Sequence, residues 1–197
     1  IGLNGQVDYA IEGSVFTGGS LIQWLRDNLK LIKSASETEE IAKCVRTNAG
    51  VTIIPALSGL GAPYWLPQAT GLITGLTQKT TRDHIVRAAL EAIALQTYDL
   101  VAIVKKEFPN VLFEQLLVDG GASQNNWLMQ LQADICQMDV RRPKDVEATA
   151  LGAALVANHH TGFFKDMNKE DTQFKAQKKP TDLIKQWATA VQLIKTS

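Results

Sequence analysis

The amino-acid sequence predicts an α/β domain, a layered arrangement in which short strands alternate with helices. Three observations carry that expectation. After a long helical stretch at 83–106, the chain reads strand, helix, strand, helix. These are apolar Leu116–Val118, periodic Asn125–Gln137, short Met138–Arg141 and the small-residue run Ala148–His159. Two predicted helices are approached through paired glycines, Gly18-Gly19 and Gly120-Gly121. Finally, 197 residues that are 45% hydrophobic and 20% charged suffice for one substantial domain with its own core, or for a tight pair of small ones. A chain of this length buries roughly 70% of the surface it exposes when unfolded.

The elements follow in order. Gln6–Glu12 alternates Val7, Tyr9 and Ile11 with Asp8, Ala10 and Glu12, the pattern of a half-buried strand. Thr17, Gly18, Gly19 and Ser20 lead into a helix whose Ile22, Leu25, Leu29 and Ile32 share one face. Ser36–Cys44 reads as a short helix, with Ser36 and Glu39 spaced as a capping box. Val51–Pro55 is a β-branched strand and Leu72–Thr77 a second one. Between them, Ser58–Pro67 mixes glycine and proline with Tyr64 and Trp65.

Asp83–Lys106 is a long helix, with Ile85, Ala88, Ala89, Ala92, Ile93 and Gln96 at spacings of three and four. Its alanines let a neighbour approach closely, and Thr80 with Asp83 reads as its cap. Leu116–Val118 is apolar on both sides, as in a central strand. Lys165–Lys179 reads as the least structured stretch. Asp182–Ile194 is a final helix that places Trp187 in the core.

Twenty basic residues balance twenty acidic ones, which argues against broad nucleic-acid binding and against a polybasic membrane surface. No run of eighteen apolar residues predicts a transmembrane helix. The start at Ile1 lacks a basic region followed by an apolar one, so no signal peptide is expected, and a cytoplasmic setting is. Cys44 and Cys136 are expected as free thiols. His84, His159 and His160 form no ligand spacing with them, so no metal site is expected, and His159-His160 reads as a helix-end cap.

The strongest local signal is VDGGASQNN, residues 118–126. An apolar strand runs into Gly120-Gly121 and then a helix, where backbone N–H groups make an anion site that suits phosphate. Asn125 and Asn126 follow within reach of a ribose or base, and Asp119 at the strand end suits either a metal-bound water or a turn. A tight structural turn fits the same residues. TGGSLIQW, residues 17–24, repeats the ambiguity with Gly19 and Gln23. Tyr64 and Trp65 fit an interdomain or oligomer contact, or a platform for a sugar. No catalytic constellation is visible.

These motifs resemble the C-terminal domain of the FGGY carbohydrate kinase family. The matching stretches are 9–32, 55–67, 71–97, 116–135 and 141–155, and the resemblance covers residues 6 to about 164. The run from Gly71 through Gly75-Leu76 and His84-Ile85 to Ala88-Ala89-Leu90-Glu91 fits the family's second signature. SGLGAPYW and IQWLRD favour the glycerol-specific branch.

The resemblance implies an actin-like (ribonuclease H-like) domain over 1–197, with its core at 6–164 and a less certain tail at 165–197. It implies MgATP as phosphoryl donor, with Gly19, Gln23, Gly121 and Asn125 at the nucleotide; Gly120, Asp119 and Asn126, read from the turn itself, are candidate accessories. Glycerol would be the acceptor, and the family's catalytic Asp and glycerol contacts lie upstream. So do the domain's first two strands and their Gly-Thr phosphate turn. The resemblance thus implies no catalytic residue here, no activity of this stretch alone, and a homo-oligomeric parent. The equivalent domain of another polyol or sugar kinase, or a non-catalytic actin-like nucleotide-binding module, remains the alternative.

Overall fold

The computed structural model describes residues 7, 15–157 and 171–195. The strand expected at Gln6–Glu12, apart from Val7, and the pair His159-His160 lie outside the described residues. The elements run α1 (Gly19–Asp27), α2 (Glu37–Cys44), β1 (Thr52–Ile54), β2 (Leu72–Thr74), α3 (Arg82–Glu107) and β3 (Gln115–Leu117). A 3₁₀ turn (Gly121–Gln124) then precedes α4 (Asn126–Cys136), β4 (Asp139–Pro143), α5 (Ala148–Ala157), β5 (Asp171–Phe174) and α6 (Thr181–Lys195). No helix among the described residues is long and apolar enough to cross a membrane.

Helix α3 organises the core. Its 26 residues span about 39 Å. From Val86 to Gln96 every residue but Arg87 is buried. The expected stripe of Ala88, Ala89, Ala92 and Ile93 is therefore only part of the contact. Helices α1, α2, α4 and α6 and strand β1 all pack on α3 and enclose its middle; the two polar residues buried there, Glu91 and Gln96, are hydrogen-bonded. Leu21, Leu25, Leu128, Ile135, Val140 and Trp187 complete the core around it.

The strands form two small sheets. β1 and β2 pair antiparallel, with Ile53 opposite Ile73. The second sheet has the order β3-β4-β5, with β3 parallel and β5 antiparallel to β4. β3 was expected to be central. Among the described residues it is an edge strand, and Leu117 is 71% exposed. The apolar run Leu116–Val118 shows suitability for burial on both faces but cannot supply the neighbour that would bury it.

Three local expectations are corrected. The Ser36–Glu39 capping box does not form, because Ser36 makes no side-chain cap bond. Instead the Glu37 carboxylate accepts the N–H groups of Lys33 and Ser34, each at 3.1 Å. Helix α3 is capped by Thr81 with His84, not by Thr80 with Asp83. His84 Nδ1 accepts the Thr81 N–H at 3.0 Å, while Thr80 Oγ1 accepts the N–H of Thr77 at 2.9 Å. The stretch 165–179 contains β5, whose Asp171 pairs with Arg141. Asp139 Oδ1 also accepts the Ala176 N–H, at 3.1 Å. DTQF has no apolar alternation because β5 is, among the described residues, an edge strand held by polar contacts.

Two polar clusters cross-link the elements. Glu91, 4% exposed, accepts from Asn48 Nδ2 at 2.7 Å and from Arg87 Nε at 2.8 Å. Burial raises its carboxyl, against the opposing pull of Arg87 and Asn48. Asp99 Oδ2 accepts from Tyr64 Oη at 2.6 Å and from Trp187 Nε1 at 2.7 Å, tying the 58–67 loop, α3 and α6 together. Burial raises the Asp99 carboxyl as well, although both donors favour its charged form. Cys44 and Cys136 are free, and burial pushes the Cys136 thiol up to about 11.

Candidate functional site

Both glycine turns end on one cavity. The first begins after β3, where the Val118 N–H bonds to Arg141 O at 3.0 Å. Gly120 then turns the chain at φ +78, a conformation that favours glycine. Its N–H bonds to Val146 O at 2.7 Å, and its carbonyl accepts both the N–H (3.1 Å) and the hydroxyl (2.7 Å) of Ser123. Arg142 Nη1 donates to Ser123 O at 2.6 Å, and its guanidinium lies 5.3 Å from the centre of the Phe174 ring. The 3₁₀ turn is therefore fixed from behind by the β4–β5 sheet.

The second turn precedes α1. Thr17 is buried, and its carbonyl accepts Gln96 Nε2 of α3 at 2.9 Å. The Leu21 N–H bonds to Gly18 O at 3.0 Å as α1 begins. A Cβ built on Gly19 would lie 3.8 Å from Ala122 Cβ, so the two turns face each other closely.

The cavity between them measures ≈ 630 Å³, within the range of small-molecule and cofactor sites. Gly19, Gln23, Gly121 and Asn125 all line it. Gly120, Asp119 and Asn126 are not among its lining residues. Gly120 shapes the turn, Asp119 is exposed at the strand end, and the Asn126 N–H is taken by Glu39 Oε2 at 2.9 Å. Leu90, Ile93 and Leu128 give the cavity an apolar side. A Cβ on Gly121 would meet nothing within 4 Å, so this position opens onto free space.

The sequence reading missed the wall formed by α2. Ser36, Thr38 and Glu39 line the cavity, as does Arg26 of α1. Burial raises the Glu39 carboxyl, but bonds from Lys43 and from the Asn126 backbone outweigh it and hold it low. One carboxylate and one guanidinium thus flank the opening. The signal present in the sequence was Thr38, a polar residue on the inward face of a short helix. The capping-box pattern around it invited a purely local reading. Among the described residues no three His, Cys, Asp or Glu side chains gather as a metal site.

Tyr64 and Trp65 point to different surroundings. Tyr64 directs its hydroxyl inward to Asp99 and lies beneath Lys195 Nζ, 4.7 Å from the ring centre. Trp65, at φ 52, is turned outward and is 62% exposed, edge-on to Phe16 at 6.4 Å.

The sequence model of the FGGY family of carbohydrate kinases, C-terminal domain, matches residues 2–161. The chain is 55% identical over 173 residues to glycerol kinase of Aquifex aeolicus (strain VF5), covering 87% of this chain and 35% of that protein. The crystal structure of Plasmodium falciparum glycerol kinase with ADP superposes with a TM-score of 0.79 at 33% identity. That match covers 92% of this chain and 38% of that one. Ligand-bound xylulose kinase from Lactobacillus acidophilus superposes at 0.68 with 19% identity, over 93% of this chain and 38% of that one, and shares the fold. The chain thus spans little more than a third of the length of these relatives. It belongs to the FGGY family of carbohydrate kinases, whose C-terminal domain it matches over residues 2–161.

Proposed function

We propose that this stretch is the nucleotide-binding part of a longer glycerol kinase, one that transfers the γ-phosphoryl group of ATP to a glycerol hydroxyl. The observation that carries this reading is the convergence of Gly19, Gln23, Gly121 and Asn125 on one cavity from two turns far apart in sequence. Residues 1–197 are taken as one domain, since β5 and α6 pack onto the elements that surround the cavity.

In this reading the work of the chain is positioning. The glycine turn offers backbone N–H groups to phosphate at short range. The amides of Gln23 and Asn125 offer hydrogen bonds to the nucleoside, and the apolar side at Leu90, Ile93 and Leu128 suits the face of a base. The acceptor hydroxyl and the base that takes its proton belong to the part of the protein outside this chain. Mg²⁺, carried by the triphosphate, supplies charge neutralisation, and no residue described here is assigned to it.

The test is a coupled ADP-release assay on the full-length protein with MgATP and glycerol. Glycerol-dependent turnover in the range of about 1 to 10³ s⁻¹ is expected, and residues 1–197 alone should show none. A parent that phosphorylates a different polyol and ignores glycerol would overturn the substrate. A parent that binds neither ATP nor ADP would overturn the site.

A further inference from the structure

Asn125 has two neighbours that fix its amide. Its Oδ1 accepts the Leu128 N–H at 2.9 Å, capping α4. Its Nδ2 lies 3.1 Å from Thr38 Oγ1. That second contact has only one polarity available. The Thr38 hydroxyl donates to Ala35 O at 2.7 Å, and a carbonyl oxygen only accepts. The hydroxyl proton is therefore already used, and Thr38 can meet Asn125 only as an acceptor. The N–H of Leu128 demands Oδ1 on one side, and the lone pair of Thr38 demands Nδ2 on the other. The amide cannot flip without losing both bonds.

What remains on Asn125 is one Nδ2 hydrogen and the remaining acceptor capacity of Oδ1. Asn125 and Thr38 both line the cavity, and Thr38 is 1% exposed. The neighbouring pair repeats the connection. Glu39 Oε2 accepts the Asn126 N–H at 2.9 Å, and Lys43 holds the same carboxylate at 2.7 Å. Helix α2 thus grips the start of α4 at two consecutive residues.

We infer that Thr38 is a positioning residue for nucleotide binding: its buried hydroxyl fixes the donor and acceptor faces of the Asn125 amide that lines the cavity. Nothing in the role requires Thr38 to touch the ligand. This inference rests on the nucleotide reading of the cavity and extends it to a residue on a third element.

The experiment uses the full-length protein and isothermal titration with ADP. Thr38→Val keeps the shape and removes the hydroxyl, and Thr38→Ser restores it. Thr38→Val should weaken ADP by roughly 2- to 13-fold, the loss of one net hydrogen bond, and Thr38→Ser should return it to within about twofold. In steady state the loss should appear in KM for ATP, with kcat and KM for glycerol little changed.

A double-mutant cycle separates positioning from general support. In an Asn125→Ala background Thr38→Val should have no further effect on ADP affinity, because the amide it orients is gone. Should Thr38→Val melt early, Thr38→Ala, which adds no methyl group against Asn125, decides with the same cycle. Unchanged ADP affinity in the hydroxyl-free variant, or an equal loss with and without the Asn125 amide, overturns the inference while leaving the nucleotide site intact. Failure of the unmodified protein to bind ADP overturns the inference together with the reading beneath it.

Discussion

Substituting Gly121 separates the needs of the fold from the needs of a ligand, because its neighbour Gly120 differs in the relevant respect. Gly120 sits at φ +78, whereas Gly121 lies outside the left-handed region. A Cβ at Gly121 meets nothing within 4 Å, and the residue lines the ≈ 630 Å³ cavity. Gly121→Val therefore introduces neither backbone strain nor a clash in the empty protein, and its stability effect should stay within about 0.5 kcal/mol. With nucleotide present the same side chain occupies space the ligand requires. Overpacking of that kind costs about 1–3 kcal/mol, which is roughly a 5- to 140-fold loss of affinity. Gly120→Val should do the reverse. It forces a β-branched residue into φ +78, ψ 172, a region kept almost entirely for glycine, at a cost of about 1–3 kcal/mol, so its melting temperature should fall. Circular dichroism melting paired with isothermal titration of ADP, on the full-length protein, reads both effects. A Gly121→Val variant that melts like the parent and binds ADP unchanged would refute the reasoning.

Asn125→Ala should weaken ADP by roughly 2- to 13-fold and also cost about 1 kcal/mol of stability, because Asn125 caps α4; titration and chemical denaturation check the two. Asp99→Asn keeps an acceptor for Tyr64 and Trp187, whose bonds go to one oxygen, and should leave stability at pH 7 equal or higher. Because burial raises the Asp99 carboxyl, its contribution to stability is full below the unfolded value of about 4 and is lost as pH rises through the higher folded value. The difference between Asp99→Asn and the parent in urea titrations should therefore grow from about pH 4 upward, and a flat difference counts against it. Acrylamide should quench a fluorescence component that Trp65→Phe removes, since Trp65 is 62% and Trp187 1% exposed; protection of Trp65 in the isolated monomeric stretch would contradict the exposed loop.

Much of the fold is legible in the sequence because periodicity reports burial directly. Leu21, Ile22 and Leu25 mark the buried face of α1. The long alanine-rich stretch marks the helix at the centre of the core. The limits appear where a neighbour decides the outcome. Leu29 has the period of the α1 face, yet the helix ends at Asp27, Lys30 takes φ 55, and Ile32 returns to the core while Leu29 is exposed. β5 is invisible to alternation because its edge is held by Arg141 and by contacts from β4, residues distant in sequence. The Asp99 clip is illegible for the same reason. Asp99 looks ordinary alone, Tyr64 reads as a contact-loop residue and Trp187 as plain core, and only their meeting satisfies the Tyr64 hydroxyl and the Trp187 indole N–H.

The candidate site divides along the same line. Glycine turns announce themselves locally, so Gly19 and Gly121 are readable as a pair of openings. The α2 wall is not, because polar residues at a helix start usually serve their own helix. Here Glu37 already accepts the N–H groups of Lys33 and Ser34, and the Thr38 hydroxyl returns to Ala35 O. With those bonds made nearer its own start, Glu39 has no capping work left and crosses to the Asn126 N–H. Thr38 has a lone pair left and turns it to Asn125. The polar start of α2, where Ser36 and Glu39 read as a cap, thus divides its bonds between two helices. The half that reaches α4 is the half that borders the cavity, so a substitution at Glu37 should loosen α2 alone, whereas one at Thr38 should be felt at the nucleotide.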